Sequence, residues 1–538
     1  MEATSPAGTL LDLRPTRCLN GLMLVTATLA LLMAAACYVR GKAKQQKTAA
    51  PPLPPGPLGL PLLGILPFLN PDIHVHFAGL AAVYGPIISV RVGRKLCIVV
   101  TSPSLAKEVL KEHDATFANR DVLAAALALP NGLHGMGWAP HGAPRWRVLR
   151  KIAMGRDMLS QTGVERFRGL RREEVRRLLA RTRDAVNTRV DFGELVFGPV
   201  YNVLTGVLWG GSRREEVLKV VEDVYEMFGK ADLSDVLPLL SRLGFQGVVR
   251  KAKKVSAILD QTWEYIIHER TTTQYLAITA AGRNDDESDI HDHKPKDLLQ
   301  IMLETMEKKD PKMPIKRENI KGLLTDLVLA GLFTTSTIME WAMTEMVQHP
   351  ETMRKAQEEV ERVVGNKESS SGVEESHVPE LHYLNALIKE VLRLHPTTPL
   401  MLPRRPSQSA VVGGYTVPKG SCVLVNIWAI ERDPESWDRP LEFDPERFLA
   451  TGPAAAKCCW DYSGNDLRYF PYGSGRRICP GMYLADRLLC YALASLLHSF
   501  DWRLPQGEKL DVSTKLGAVL KKAKPLIVVP TLKQTQYG

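Results

Sequence analysis

The sequence predicts a predominantly α fold with a small β part, built as a single large domain behind an N-terminal transmembrane helix. Three observations carry that prediction. Apolar residues recur at spacings of three and four along most of the chain, two short β-type runs stand close together after a proline-rich region, and Cys18 to Val39 contains no charged residue. A chain of 538 residues, 45% of them hydrophobic, can bury a large core. Neither a repeat period nor a long flexible linker divides it after the N-terminal region, so one domain is expected where length alone suggests several.

Residues 1–17 are a short N-terminus, expected on the lumenal side. Residues 18–39 are long enough for a helix to cross a bilayer. Arg40, Lys42, Lys44 and Lys47 follow this stretch, against Arg14 and Arg17 before it, so the positive-inside bias places the remainder in the cytosol. A cleaved signal peptide competes, with Ala34-Ala35-Ala36 as small residues for cleavage, but the apolar run is long for that and its stronger positive flank lies on the wrong side. Residues 40–57 are basic and then proline-rich. Pro51-Pro52-Leu53-Pro54-Pro55-Gly56-Pro57 cannot continue a helix and predicts a stiff spacer between anchor and globule.

Residues 58–538 make up the main domain. Ile87 to Val92 and Leu96 to Val100, parted by Gly93-Arg94-Lys95, read as a hairpin. Helical spacing runs through Leu105 to Glu112, Arg145 to Ala153, Glu173 to Ala180, Arg214 to Phe228, Ala252 to Arg270, Ile320 to Gln348, Thr352 to Val364 and Met482 to Leu497. Arg283 to Lys296 is polar and charge-rich, a solvated loop in which His291 and His293 need not bind metal.

The formal charge of +10 fits nucleic acid, an acidic membrane surface or an acidic protein partner. No nucleic-acid motif supports the first. The eight cysteines, among them Cys18, Cys37 and the adjacent Cys458 and Cys459, show no zinc spacing and no disulfide framework, which fits a reducing compartment.

Chemistry concentrates at Cys479, in Phe470-Pro471-Tyr472-Gly473-Ser474-Gly475-Arg476-Arg477-Ile478-Cys479-Pro480-Gly481. Gly475 allows a turn with positive φ, Gly481 lets backbone pass close to a flat ligand, and Pro480 suits the first turn of the helix that follows. The sulfur is thus expected at a helix N-terminus, where unpaired N–H groups, together with Arg476 and Arg477, favour thiolate. A buried cysteine packed as a small hydrophobe is the plainer alternative.

This run resembles the haem-binding loop of cytochrome P-450 enzymes, F-x-x-G-x-R-x-C-x-G, with Gly475, Arg477, Cys479 and Gly481 in place. Tyr472 departs from the usual Phe, so its hydroxyl needs a partner. The resemblance implies the cytochrome P-450 fold, haem b as cofactor and Cys479 as axial ligand of its iron. Trp146 and Arg150, four apart on one helix face, resemble the family's W-x-x-x-R pair that meets a haem propionate, and Arg404 resembles another propionate contact. Glu390 and Arg393, one turn apart, with Arg447 resemble the family's Glu-Arg-Arg cluster, an architectural role.

Ala330-Gly331-Leu332-Phe333-Thr334-Thr335-Ser336 resembles the A-G-x-[DE]-T-T motif of the oxygen-activating helix. Ala330 and Gly331 would admit a flat cofactor, Gly331 would favour a local widening of the helix, and Thr334 would present its hydroxyl on the distal side. A Thr bonded to its own i−4 carbonyl is the alternative. Phe333 stands where the family carries an acid, which puts proton delivery in question.

By position, Leu329, Phe333, Thr398, Leu402 and Val519 would line a largely apolar substrate pocket, with Leu127 to Met136 and the turns around Phe228 to Leu240. The resemblance is to plant endoplasmic-reticulum members. It implies a single-pass membrane protein with a cytosolic domain, a monooxygenase acting on a hydrophobic plant metabolite, terpenoid ahead of flavonoid or other phenolic. Electrons would come from NADPH through NADPH cytochrome reductase, docking near Arg476, with cytochrome b5 as a further partner. Because of Phe333, a haem-thiolate isomerase or dehydratase, or a weakly active haem-binding protein, stays open.

Overall fold

The computed structural model describes residues 51–129, 131–211, 214–229, 248–281, 295–365, 372–449 and 460–533, with Thr28, Leu31, Ala35 and Val236 as isolated positions. Apart from Thr28, Leu31 and Ala35, the predicted membrane helix 18–39 lies outside the described residues, as do its basic flank, His291 and His293, and Cys458-Cys459.

The predominantly α reading holds. Among the described residues eleven longer helices build the body, the ten-residue helix Leu298–Glu307 and α1 (Ile73–Tyr84), α2 (Pro144–Ala153), α3 (Arg168–Asp184), α4 (Phe192–Trp209), α5 (Arg214–Gly229), α6 (Val248–Ala281), α7 (Arg317–Gln348), α8 (Pro350–Val364), α9 (His382–Leu394) and α10 (Met482–Ser499). The β part is small. Strands β1 (Ile87–Val92), β2 (Lys95–Val100), β3 (Asn119–Arg120), β4 (Val190–Asp191), β5 (Arg404–Arg405), β6 (Cys422–Val425), β7 (Phe500–Arg503) and β8 (Ile527–Leu532) form a five-stranded sheet, β1-β2-β6-β5-β3, and a three-stranded one, β4-β8-β7. The hairpin turns at Gly93, φ +59°, one residue tighter than predicted because Lys95 already pairs with Val92.

Helix α7 is the spine. It is long and apolar enough to cross a membrane, yet most of its apolar window is buried inside the domain, where it packs against α4, α9, α10 and α8. Helix α4 carried no helical signal in the sequence, for a physical reason. Thirteen of its residues are buried, so no polar face alternates with the apolar one, and Pro199 interrupts it. Its ends are marked locally: Asp191 caps the Glu194 N–H at 3.0 Å, and Gly210 closes the helix at φ +88°.

The proline run is docked rather than free. Pro55 O accepts from Ser89 N at 2.8 Å, Pro54 O from the Ser89 hydroxyl at 2.7 Å, and Pro52 O from Thr416 N at 2.8 Å. Proline has no N–H to give but keeps its carbonyl, so the segment lies along the sheet as an acceptor strip. The Thr416 hydroxyl also donates to Pro51 O, so the expected spacer belongs to the domain from Pro51 onward.

Candidate active site

Cys479 lies two residues before Gly481, the N-cap of α10. Its sulfur accepts from the N–H groups of Gly481 and Met482, and its own N–H donates to Tyr472 O at 2.9 Å. A Cβ on Gly481 would stand 4.0 Å from the sulfur, with no other neighbour that close, so this side of the loop is open to a flat ligand. Gly475 (φ +69°) is required for a different reason, because a Cβ there would meet Leu110 O at 2.5 Å.

Without a bound metal, the protein's own groups do not favour the thiolate. Burial raises the thiol pKa and outweighs the two N–H donors and the nearby positive charge, which comes from Arg150 rather than from Arg476 or Arg477. Arg476 is engaged with Asp114, at 2.8 Å from Nε. Arg477 faces inward, giving Nε to Ala118 O at 2.9 Å, Nη1 to Met136 O at 2.8 Å and Nη2 to Ala139 O at 2.5 Å, with its guanidinium 4.7 Å from the centre of the Trp146 ring. A resident cation is what would draw off the proton.

Four guanidinium groups converge nearby, those of Arg120, Arg150, Arg404 and Arg477. Burial and mutual repulsion depress Arg120 well below the arginine range and lower Arg477 to about 10; burial alone brings Arg404 to about 10. Arg120 and Arg404 are direct register partners on β3 and β5, a like-charge pairing that ordinarily destabilises a sheet. Buried donors also go unused: Trp146 Nε1, Arg120 Nε, and Arg404 Nε and Nη2. Such a concentration of unspent N–H groups fits a dianionic ligand, as the two propionates of haem would supply. Arg120 was missed in the sequence because a two-residue strand has no periodicity to mark it.

Not every predicted residue serves the cofactor side. A Cβ on Gly331 would meet Leu204 Cδ2 of α4 at 2.8 Å, so this glycine admits a neighbouring helix rather than a flat ligand. The expected widening is absent, α7 remaining α-helical through Gly331. Thr334 donates to Ala330 O at 2.7 Å, the local i−4 arrangement. Phe333 is wedged between Phe197 and Tyr225, ring centres 5.2 and 4.4 Å away, while the Tyr225 hydroxyl donates to Leu329 O. Thr398 O accepts from Met401 N at 2.9 Å, and Leu520 N donates to Thr397 O at 2.8 Å, which joins the Thr398–Leu402 segment to that of buried Val519. Leu402 O accepts from Arg120 Nη1 at 3.0 Å. The Tyr472 hydroxyl is buried without a partner, its ring edge-on to Tyr462 at 5.0 Å.

Glu390, Arg393 and Arg447 meet in one cluster. Arg393 holds Glu390 through two bonds of 2.7 Å, Arg447 Nε reaches the same carboxylate at 3.1 Å, and Asp444 N donates to it at 3.0 Å. Glu390 and Arg393 are fully buried.

One acid on α7 had no sequence signal. Asp326 Oδ2 accepts from Met136 N at 2.5 Å and Gly137 N at 2.7 Å, and a Cβ on Gly135 would strike the same oxygen. Met136 is thus gripped at its N–H by Asp326 and at its C=O by Arg477. Burial pushes the Asp326 carboxyl up to about 7, against the pull of both N–H donors and of Arg477. A carboxyl whose folded pKa lies above its unfolded value contributes most stability when protonated, so this contribution falls as pH rises from about 4 to 7. Asp326→Asn keeps an acceptor without the charge. Its thermal stability is expected to match wild type near pH 4 and to exceed it by about 1–3 kcal/mol at pH 8; a difference that does not depend on pH contradicts the assignment.

Known proteins resemble this chain over most of its length. The family model described as Cytochrome P450 matches residues 54–529. Geraniol 8-hydroxylase of Swertia mussotii is 38% identical over 89% of this chain and 93% of its own, and flavonoid 3'-monooxygenase of Petunia hybrida is 36% identical over 89% and 92%. A zebra fish cytochrome P450 structure with progesterone superposes with a TM-score of 0.70 at 24% identity, covering 85% of this chain and 99% of that one, which establishes the shared fold. With a glycine-bracketed cysteine at a helix N-terminus, a buried cluster of arginines beside it and a family match across nearly the whole described domain, the chain belongs to the cytochrome P450 family, the haem-dependent monooxygenases.

Proposed function

We propose that this protein inserts one atom of dioxygen into a hydrophobic plant specialised metabolite, a terpenoid ahead of a flavonoid or other phenolic, using electrons from NADPH delivered by NADPH cytochrome reductase. The observation that carries the reading is Cys479, capped by two helix N–H groups beside a cluster of arginines with unspent donors. Names of relatives at 38% and 36% identity support the two substrate classes, and the apolar character of Leu329, Phe333, Leu402 and Val519 supports a hydrophobic ligand.

Cys479 would ligate the iron, and Trp146, Arg120, Arg150, Arg404 and Arg477 would hold the propionates. Haem bound there supplies dioxygen activation, which no side chain can. The protein's own contribution is position and proton supply. Thr334 carries a hydroxyl proton, now given to Ala330 O, and Ser336 donates to Leu332 O at 3.2 Å, so hydroxyls stand where the usual acid is missing. Phe333 packs against Phe197 and Tyr225. Its replacement by Asp would set a carboxyl against two aromatic rings in a half-buried position, so stability is expected to fall by about 1–2 kcal/mol, read as a lower thermal midpoint.

Arg476, exposed at the proximal surface, is the candidate contact for the reductase and cytochrome b5, although Asp114 already neutralises part of its charge. Residence in the endoplasmic-reticulum membrane, with one helix at 18–39 and the domain in the cytosol, is supported by exposed Leu58, Leu62 and Phe68 just beyond the proline run.

The test is turnover of a panel of monoterpene alcohols, sesquiterpenes and flavones by the purified protein with reductase, NADPH and oxygen. Hydroxylated product that requires both reductase and NADPH is expected, with terpenoids converted faster than flavones. Conversion of a hydroperoxide or oxime without NADPH, or ligand-induced spectral shifts with no product, contradicts the proposal.

A further inference from the structure

We infer that Cys97 and Cys422 form an oxidisable dithiol, a modification site at which a peroxide closes a disulfide between strands β2 and β6. The two residues are direct partners in the parallel register of β2 and β6. Partners in register project their side chains from the same face of a sheet, and adjacent strands lie about 4.8 Å apart, inside the Cα separation of about 4.4–6.8 Å that a disulfide spans. Cys97 and Cys422, each 5% exposed, sit in one apolar layer with Phe77, Ile88, Val90 and Leu424. The other described free cysteines are elsewhere: Cys479 in the haem-binding loop and Cys490 inside α10.

The neighbouring thiol and burial raise the pKa of Cys422, so in a reducing cytosol the pair rests as two small hydrophobes. A two-electron oxidant small enough to enter the sheet changes that. The less hindered thiol gives up its proton and attacks hydrogen peroxide as the minor thiolate form; the O–O bond breaks, the sulfur becomes a sulfenic acid, and the departing oxygen takes up that proton and leaves as water. The second sulfur then displaces the sulfenic oxygen, which leaves as a second water, and the S–S bond forms. Two thiols and one peroxide give one disulfide and two waters. The bond would fix β6 to β2 beside Val423, the register partner of Arg404, and so would brace the strand that carries one of the four clustered arginines.

The experiment is peptide mapping of the full-length, haem-loaded protein after hydrogen peroxide treatment, with free thiols alkylated before non-reducing digestion. A Cys97 peptide joined to a Cys422 peptide, two hydrogens lighter than the pair and separated by dithiothreitol, is the expected result. In Cys422→Ala the cross-link should vanish and Cys97 should be captured by dimedone as the sulfenic acid. Recovery of both cysteines alkylated in treated wild type, or either joined to a different cysteine, overturns the inference. Wild-type mapping decides this even if the variant does not fold, and the outcome does not depend on which substrate the enzyme oxidises.

Discussion

Replacing Glu390 with Ala is expected to cost about 3–5 kcal/mol, enough to keep most of the chain from reaching the folded state. The carboxylate takes two bonds from Arg393, one from Arg447 and one from Asp444 N, and its removal leaves the Arg393 guanidinium charged and without an anion in a fully buried position. Three of the Arg393 bonds remain, to Glu431 O and Pro440 O through Nη1 and to Glu442 O through Nη2, so hydrogen bonding survives where charge neutralisation does not. Glu390→Gln, which keeps the shape and one acceptor oxygen, should lose less. Thermal midpoints and the yield of haem-loaded protein measure both variants, and equal behaviour of Ala and wild type would show that the cluster is dispensable.

The second large effect is expected from Arg477→Ala. This side chain satisfies three backbone carbonyls, Ala118 O, Met136 O and Ala139 O, and lies over Trp146. Its loss would leave three acceptors unpaired and free the 136–139 segment at one of its two grips, the other being Asp326. A destabilisation of about 3 kcal/mol follows if each orphaned carbonyl costs about 1 kcal/mol. Haem retention should fall as well, because one of the four clustered guanidiniums goes with it. Arg477→Lys should rescue little, since one ammonium cannot span three carbonyls set around a planar fork. Retained haem and an unchanged midpoint in the Ala variant would contradict this account.

Much of the site was legible because its parts are short and local. A turn glycine, a cysteine and a helix start lie within a dozen residues around Cys479, and one helical turn sets Glu390 against Arg393. What escaped was tertiary. Arg120 meets Arg404 only through strand register, and Asp326 meets Met136 only because Gly135 and Gly137 let backbone approach the helix. Gly331 was misjudged for the same reason: a glycine in a helix signals close approach without saying what approaches, and here it is Leu204. Helix α4 lacked a polar face to set its period, and the proline run hid its acceptor role because proline is read by the donor it lacks.

The central claim, sulfur of Cys479 as ligand to haem iron, is tested most directly by the difference spectrum of the reduced protein under carbon monoxide. A long-wavelength Soret band of the kind given by thiolate ligation is predicted for wild type, and its disappearance in Cys479→Ala. Colourless wild-type protein after haem supplementation, or a band that survives the Ala substitution, would contradict the account.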